Sequence, residues 1–369
     1  MPATIDFGLA AWLDHAALAL DTGTGDGNGA EAQSLLPRLA EAGIFRAGVP
    51  ASLGGAGGDV TQAVEAIAAV SERSMAAGFV LWGQRTFIDY LLQSPNRALC
   101  ERLLPDLLAG RVAGATGLSN AMKFLSGLEE LQITAQRDGE GFRLDGKLPW
   151  VTNLRVQGFH VAAAVGQANG PNAFVASLSH DSAGLTRSRD LDLMAMRGTS
   201  TAAIRLEHVH IGPGDILHPH AATWLPQVRP AFLGMQCGMS IGLARRALAE
   251  AQAYAGPTRQ VLCDPIAELT DTLAAQERAL TDGLRAARFH AAPARLFELR
   301  IGLAETAAQA VSLELQASGG RAYLAPHGDG FARRWREAAF VPVVTPSLVQ
   351  LKAALASQGE CGQTTGQAA

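Results

Sequence analysis

The spacing of hydrophobic and polar positions changes twice along this 369-residue chain. From Phe7 to about Val112 the apolar residues recur at helical spacing, as in SLLPRLAEAGIF and QAVEAIAAVSERSMAAGFVLW, which predicts a set of helices. From there to about His220, short alternating runs and Asp-Gly pairs, as in LQITAQRDGEGFRLDG, predict an antiparallel β unit. Four long Ala- and Leu-rich segments then follow and predict an antiparallel four-helix bundle.

This order predicts a multi-domain α+β protein. An N-terminal helical domain is expected over residues 1–112 and a small antiparallel β-barrel domain over 113–222. The C-terminal four-helix bundle is expected over 223–356. Residues 357–369, rich in Gly, Gln and Thr, are expected to form a flexible tail.

Composition narrows the class of function. With 48% hydrophobic and 17% charged residues, the chain is globular rather than disordered. A net charge of -4 leaves no excess of cations to neutralise a run of phosphates, so we expect a small-molecule substrate and no nucleic acid. No apolar run reaches the roughly 18 residues of a membrane span, and the N-terminus lacks the basic start of a signal peptide, which predicts a cytoplasmic protein without a membrane segment.

Metal binding is not expected. The four cysteines show no metal-binding spacing and are interpreted as reduced thiols. His208 and His210 would point to the same face of one strand, and His218 and His220 follow shortly after. No carboxylate or cysteine completes a set of ligands around them.

Several segments carry a family resemblance in a consistent order and spacing. They are LAEAGIFRAGVPASLGGAGGD, DGKLPWVTN, MRGTSTAAIRLEHVHI, LQASGGRAY and RRWREAAF. Together they make the chain resemble the acyl-CoA dehydrogenase superfamily over nearly its whole length. The resemblance implies a bound FAD, with FMN as the alternative. It also implies a homotetramer or homodimer, in which a neighbouring subunit's bundle completes each flavin site.

The end of the predicted hairpin is the main candidate for contact with the flavin. The resemblance implies that Trp150, Val151 and Thr152 lie against the ring. A flavin is a flat apolar ring with a polar rim, and an aromatic wall with a nearby hydroxyl suits it. The structural alternative is a tryptophan buried in the core of the hairpin.

The same resemblance implies further cofactor contacts. They are expected from Gly117, Leu118, Ser119, Arg197, Thr199, Gln316, Gly319 and Gly320. Glycine tolerates close backbone approach, which is the expected role of the Gly-Gly pair at the end of a bundle helix. A solvated turn is the alternative for Ser119, an arginine bridging the strands to the bundle for Arg197, and a helix C-cap for one of the two glycines.

A catalytic base is missing from the positions where the resemblance places it. Dehydrogenation of an acyl thioester needs a carboxylate close to the α-carbon, to take a proton while hydride leaves the β-carbon. The usual glutamate position falls at about Val344 or Thr345, within an acid-free stretch over 338–359. The superfamily's other position, at the start of the first bundle helix, falls in an acid-free stretch over 216–249.

Three hypotheses follow from this pattern. The first is an FAD-dependent oxidoreductase that oxidises an acyl thioester or similar small substrate by hydride transfer to flavin N5, with His327 or Glu337 as a substitute base and an electron-transfer flavoprotein as partner. A two-component monooxygenase, supplied with reduced flavin by a reductase, is the second, and it depends on a dry pocket more than on one base. The third is a scaffold subunit that has lost catalysis.

Overall fold

The structure is a computed structural model, and it describes most of the chain. The described residues are 5–23, 29–118, 121, 124, 130–168 and 172–365, with side chains up to 357.

Helices form the first part of the chain. They are α1 (Phe7–Thr22), α2 (Ala30–Glu41), α3 (Val60–Ser71), α4 (Met75–Gln93) and α5 (Arg97–Leu108). Local capping explains several of their starts: Asp6 accepts a hydrogen bond from the Leu9 amide at 2.8 Å, and Asp59 forms a capping box with Gln62. Helix α4 is buried along almost its whole length, so it packs against other elements on most of its circumference.

A β-sheet follows the helices. Its strands are β1 (Ala113–Thr116), β2 (Ile133–Asp138), β3 (Gly141–Val151), β4 (Phe159–Gln167), β5 (Ala173–Ser179), β6 (Leu185–Arg187), β7 (Ala202–Ile211) and β8 (Ile216–His218). The strand order is β6-β7-β3-β2-β4-β5-β8, and β1 pairs with β4. The ladders of β4 with β1 and β2 are parallel and the others are antiparallel.

The sheet is open rather than closed. Within the described part of the chain no ladder joins β6 to β8, the two ends of the strand order. Each of these strands is three residues long, too short to carry the continuous staggered pairing that closes a barrel. The predicted α+β class is therefore confirmed, whereas the predicted closure into a β-barrel is wrong.

Helices form the rest of the described chain. They are α6 (Ala221–Tyr254), α7 (Cys263–Arg285), α8 (Arg288–Ala291), α9 (Pro293–Ser318), α10 (Asp329–Phe340) and α11 (Leu348–Thr365). The long helices α6, α7 and α9 lie where the bundle was predicted, and α10 and α11 are shorter. Helix α11 extends into the segment predicted as a tail. The proposed domain boundaries at 112 and 222 fall close to the ends of α5 and β8, and they stay predictions.

Helix α6 joins the bundle to the N-terminal helices. A Cβ atom on Gly242 would lie 2.2 Å from the carbonyl oxygen of Ala68, and one on Gly238 would lie 2.7 Å from that of Val64. Only glycine permits α6 to approach α3 this closely. Among the described helices, none combines the length and apolar character that a membrane span requires.

Candidate active site

A cavity of about 700 Å³ lies where the sheet meets α4, α6 and α10. Its size falls within the range of about 300 to 1,000 Å³ that is typical of small-molecule and cofactor sites. The cavity has one wall rich in hydroxyl groups and one wall of aromatic rings, and each wall is built by different elements.

Threonine hydroxyls line the wall formed by the sheet. Thr116 ends β1, Thr152 follows β3, and Thr199 and Thr201 precede β7. The Thr152 hydroxyl donates to the carbonyl oxygen of Thr199 at 3.3 Å, and the hydroxyls of Thr199 and Thr201 are 2.7 Å apart. These groups can still accept hydrogen bonds from a ligand's polar rim.

Asn153 fixes the end of β3 against two other elements. Its backbone adopts a left-handed conformation with φ 62°, which asparagine tolerates better than most residues. The side-chain amide donates to Gln84 Oε1 of α4 at 3.0 Å and to the carbonyl oxygen of Gly114 in β1 at 2.9 Å. The turn after β3 is therefore rigid where Trp150 and Thr152 face the cavity.

Trp150 lines the cavity and is not a core residue. It is 63% exposed, which excludes the alternative of a buried hairpin tryptophan. Val151, by contrast, is buried in the sheet and does not line the cavity. A large exposed aromatic ring at the edge of a cavity is suited to ligand contact, and the role of Trp150 in binding a flavin stays a prediction.

Four aromatic rings form the opposite, helical wall. Phe79 and Trp82 of α4 stack with ring centroids 5.4 Å apart. Phe340 of α10 meets Phe79 edge-on at 4.8 Å, and Phe232 of α6 lies 5.2 Å from Trp82. Sequence reasoning did not select any of these rings. Phe79 and Trp82 are three residues apart in a helix that is apolar around most of its circumference. Periodicity alone therefore does not show which face of this helix meets a ligand.

Arg336 is the charged side chain of the described cavity lining. Its Nε atom donates to Asp21 Oδ2 at 3.0 Å, and its Nη2 atom contacts the same oxygen. The other oxygen of Asp21 accepts a hydrogen bond from the Met196 amide at 3.0 Å. Through these bonds the fully buried Asp21 joins the end of α1 to α10 and to the loop that carries Met196. The RRWREAAF segment carries part of the family resemblance, but nothing in its local pattern distinguishes Arg336.

The expected base positions face the cavity without an acid. Val344 and Thr345 both line it. Gln236 of α6 donates to the carbonyl oxygen of Thr345 at 2.9 Å, and Arg300 of α9 holds Gln236 and the carbonyl oxygen of Val341 at 2.9 Å each. The turn after α10 is therefore well anchored. No Asp or Glu occurs among the lining residues that the structure describes.

The two candidate substitute bases lie elsewhere. Glu337 is fully buried and accepts hydrogen bonds from the Met75 amide at 3.0 Å and from Arg333 at 2.6 Å. Burial raises the pKa of Glu337, against the opposing charge of Arg333. His327 is exposed in the segment that precedes α10. Neither side chain lines the cavity.

The residues around Gly117 flank the cavity. Gly117 follows Thr116, and its amide donates to the carbonyl oxygen of Ala162 at 2.8 Å. Leu118 is buried, and neither Gly117 nor Leu118 is part of the cavity lining. Ser119 lies outside the described residues.

The Arg197 side chain forms an ion pair within the loop beside the cavity. It forms an ion pair with Asp192 at 2.6 Å and does not line the cavity. This pairing with an acidic neighbour is local, and a contact of Arg197 with a cofactor stays a prediction.

The residues of the predicted Gln-Gly-Gly contact lie outside this cavity. Gln316 and Gly320 are exposed at the end of α9, and Gly319 adopts φ 61° there. None of the three lines the cavity, and their contact with a flavin stays a prediction.

Metal ligands are not gathered in the described part of the chain, where no group of three or more His, Cys, Asp or Glu residues could hold an ion. His208 and His210 instead lie beside single carboxylates, Asp145 at 3.1 Å and Asp138 at 3.2 Å.

Known proteins resemble this chain in both sequence and fold. Residues 22–111 match the N-terminal domain of acyl-CoA dehydrogenases. The chain is 27% identical to isovaleryl-CoA dehydrogenase of Pongo abelii over 187 residues, which are 49% of this chain and 44% of that protein. It is 26% identical to benzylmalonyl-CoA dehydrogenase of Aromatoleum aromaticum over 233 residues, 62% of this chain and 61% of that protein. The match thus spans about half of the length of these curated relatives.

Solved structures share the whole fold. Butyryl-CoA dehydrogenase from Megasphaera elsdenii superposes with a TM-score of 0.79 at 17% identity, over 95% of this chain and 96% of that one. The resemblance to the acyl-CoA dehydrogenase superfamily is confirmed. Another structure with this fold, KijD3 in complex with FMN and a dTDP-linked amino sugar, has a TM-score of 0.79 at 21% identity, over 95% and 91% of the two chains. The superfamily fold thus occurs in proteins with different ligands, so the fold does not define the reaction of this chain.

Proposed function

We propose that this chain is a flavin-dependent oxidoreductase that oxygenates a small, largely apolar substrate with molecular oxygen. The observation that carries the proposal is the absence of Asp and Glu from the described cavity lining, with Val344 and Thr345 at the expected base positions. Removal of a thioester α-proton requires such a base, whereas oxygenation depends on excluding water from an apolar site. The superfamily resemblance supports the use of a flavin.

The cavity has groups that suit a flavin ring. The hydroxyls of Thr116, Thr152 and Thr199 can meet a polar rim, and the Trp150 ring can lie along an aromatic face. A flavin, FAD or FMN, would supply two-electron chemistry there. The chain's own residues would orient the substrate against the rings of Phe79 and Phe340 and keep water away from it.

The overall reaction is balanced with a reductase as partner. One oxygen atom of O2 enters the substrate and the other leaves as water, with two electrons and two protons consumed. The electrons come from a reduced flavin supplied by the reductase. The proposed reaction therefore needs no proton acceptor in the cavity for the substrate's α-carbon.

An isotope experiment tests this reaction. The purified protein is loaded with FMN or FAD, reduced, and mixed with candidate apolar substrates under 18O2. We expect one 18O atom in the product and no turnover without oxygen. Rapid anaerobic bleaching of the oxidised flavin by butyryl-CoA, with no 18O incorporation, would instead establish dehydrogenation. A chain that binds neither FMN nor FAD would exclude both flavin functions and leave the scaffold role.

Dehydrogenation of a CoA thioester is the second candidate. It is favoured by the two curated relatives, whose names specify isovaleryl-CoA and benzylmalonyl-CoA dehydrogenation. An electron-transfer flavoprotein would then be the partner. In either case we propose a homotetramer or homodimer, because Gln316, Gly319 and Gly320 at the end of α9 line no part of the described cavity of their own chain.

A further inference from the structure

Arg336 places a hydrogen-bond donor with a positive charge in a cavity whose other described lining residues are uncharged. Its Nε and Nη2 atoms are engaged by Asp21. No described residue accepts a hydrogen bond from its Nη1 atom, and the side chain is 26% exposed. A guanidinium that lines a cavity and has N–H groups left without a described partner is suited to bind an oxyanion.

The neighbouring rings define the body of the same ligand. Phe340 lies one helical turn after Arg336 on α10, about 6 Å further along the helix axis. Its ring meets Phe79 at 4.8 Å, and Phe79 continues the aromatic wall to Trp82. A flat apolar group on this wall would therefore have Arg336 within reach of a short polar end.

We propose that the substrate is a small aromatic or similarly flat carboxylate. Its carboxylate accepts a hydrogen bond from Arg336 Nη1, and its apolar body lies along Phe340 and Phe79. This inference rests on the proposed function in taking the cavity as the substrate site, and it adds the charge and shape of the substrate.

Asp21 positions the Arg336 guanidinium and partly offsets the positive potential that a ligand meets there. Asp21 accepts hydrogen bonds from Nε and Nη2 and leaves the N–H groups of Nη1 for a ligand. Its carboxylate also offsets the positive charge that the ligand meets. Neutralising Asp21 alone should therefore strengthen anion binding, whereas neutralising both partners should remove it. A purely structural ion pair would weaken all ligands in both variants.

The test compares cinnamate with cinnamamide, which have the same shape and differ in charge. Binding to the flavin-loaded and flavin-free protein is measured by equilibrium dialysis at constant ionic strength. We expect cinnamate to bind about ten- to a hundredfold more tightly than the amide, the ratio expected for a charge-assisted hydrogen bond. Asp21→Asn should increase this ratio, and the double variant Asp21→Asn/Arg336→Gln should bring it to about one.

A matched control removes a cation outside the cavity. Arg73 pairs with Asp14 at 2.8 Å, also at α1, and Arg73→Gln should leave the cinnamate preference unchanged. Circular dichroism and thermal midpoints verify that all variants fold. Equal affinity for cinnamate and cinnamamide in the wild type, or parallel losses for both ligands in the Asp21 variants, would refute the proposal.

A second comparison distinguishes a substrate carboxylate from a cofactor phosphate. The affinities of FMN and riboflavin are measured in the wild type and in the double variant. If the double variant loses its preference for FMN and keeps the cinnamate preference, Arg336 serves the phosphate and the proposal is wrong. Failure to bind any flavin would overturn the proposed function instead, while dialysis without flavin would still decide the role of Arg336.

Discussion

Restoring a carboxylate at Thr345 should convert the cavity towards thioester dehydrogenation. Thr345 lines the cavity, and Gln236 holds its carbonyl oxygen at 2.9 Å. Arg300 in turn holds Gln236, so the backbone at this position is fixed from α6 and α9. A longer side chain at Thr345 can extend into a cavity of about 700 Å³ without displacing this support.

The size of the expected rate increase follows from general-base catalysis, which typically accelerates a reaction about 10²- to 10⁴-fold. We expect the Thr345→Glu variant to oxidise butyryl-CoA faster than the matched Thr345→Gln variant by a factor in that range. The apolar wall should raise the pKa of the new carboxyl, and Arg336 should oppose this. Because the base must be ionised, the rate should rise with pH through that pKa.

The assay measures anaerobic bleaching of the flavin by butyryl-CoA, together with thioester binding. Wild-type protein and the Thr345→Gln variant should both react slowly. The reasoning would be refuted if the wild type turned over butyryl-CoA rapidly, since a base would then already be present. It would also be refuted if Thr345→Glu bound the thioester but reacted no faster than Thr345→Gln.

Three further predictions concern the cofactor and the stability of the fold. Trp150→Ala should weaken flavin binding about three- to tenfold, which is the contribution of one aromatic contact. Titration of the apoprotein with flavin would measure this loss, and an unchanged affinity would count against the flavin assignment. Arg300→Met should loosen the turn at Thr345, lower the thermal midpoint by several degrees and increase proteolysis after α10. An unchanged thermal midpoint and an unchanged proteolysis pattern would show that Arg300 does not anchor this turn. Burial raises the pKa of Asp89, in α4, to about 6. Between about pH 4 and 6 the folded state therefore keeps a proton that the unfolded state has released. The free energy of unfolding should fall by up to about 3 kcal/mol between pH 4 and 7. Asp89→Asn should flatten this dependence in urea titrations, and an identical slope in the variant would be evidence against it.

The family resemblance singled out part of the polar wall of the cavity. The β3 hairpin, the left-handed turn at Asn153 and the threonines before β7 all lie in short segments whose spacing is visible in the sequence. Each residue's position depends mainly on its own strand, so the motif and the geometry agree for Trp150, Thr152 and Thr199. Closure of the sheet was not predictable in this way, because it depends on the length of the distant strands β6 and β8.

The aromatic wall and Arg336 depend on contacts that no local pattern encodes. Phe79 and Phe340 are more than 250 positions apart in sequence, yet their rings meet at 4.8 Å. Arg336 owes its orientation to Asp21, a residue in the first helix. The first contact depends on the packing of α4 against α10 and the second on the packing of α1 against α10, so hydrophobic spacing identifies the helices but not the faces that meet. The family resemblance marks one acid-free stretch as a missing base, and the packing brings Val344 and Thr345 of that stretch to the cavity. The proposed reaction can therefore be tested at Thr345, and the proposed substrate carboxylate can be tested independently at Arg336.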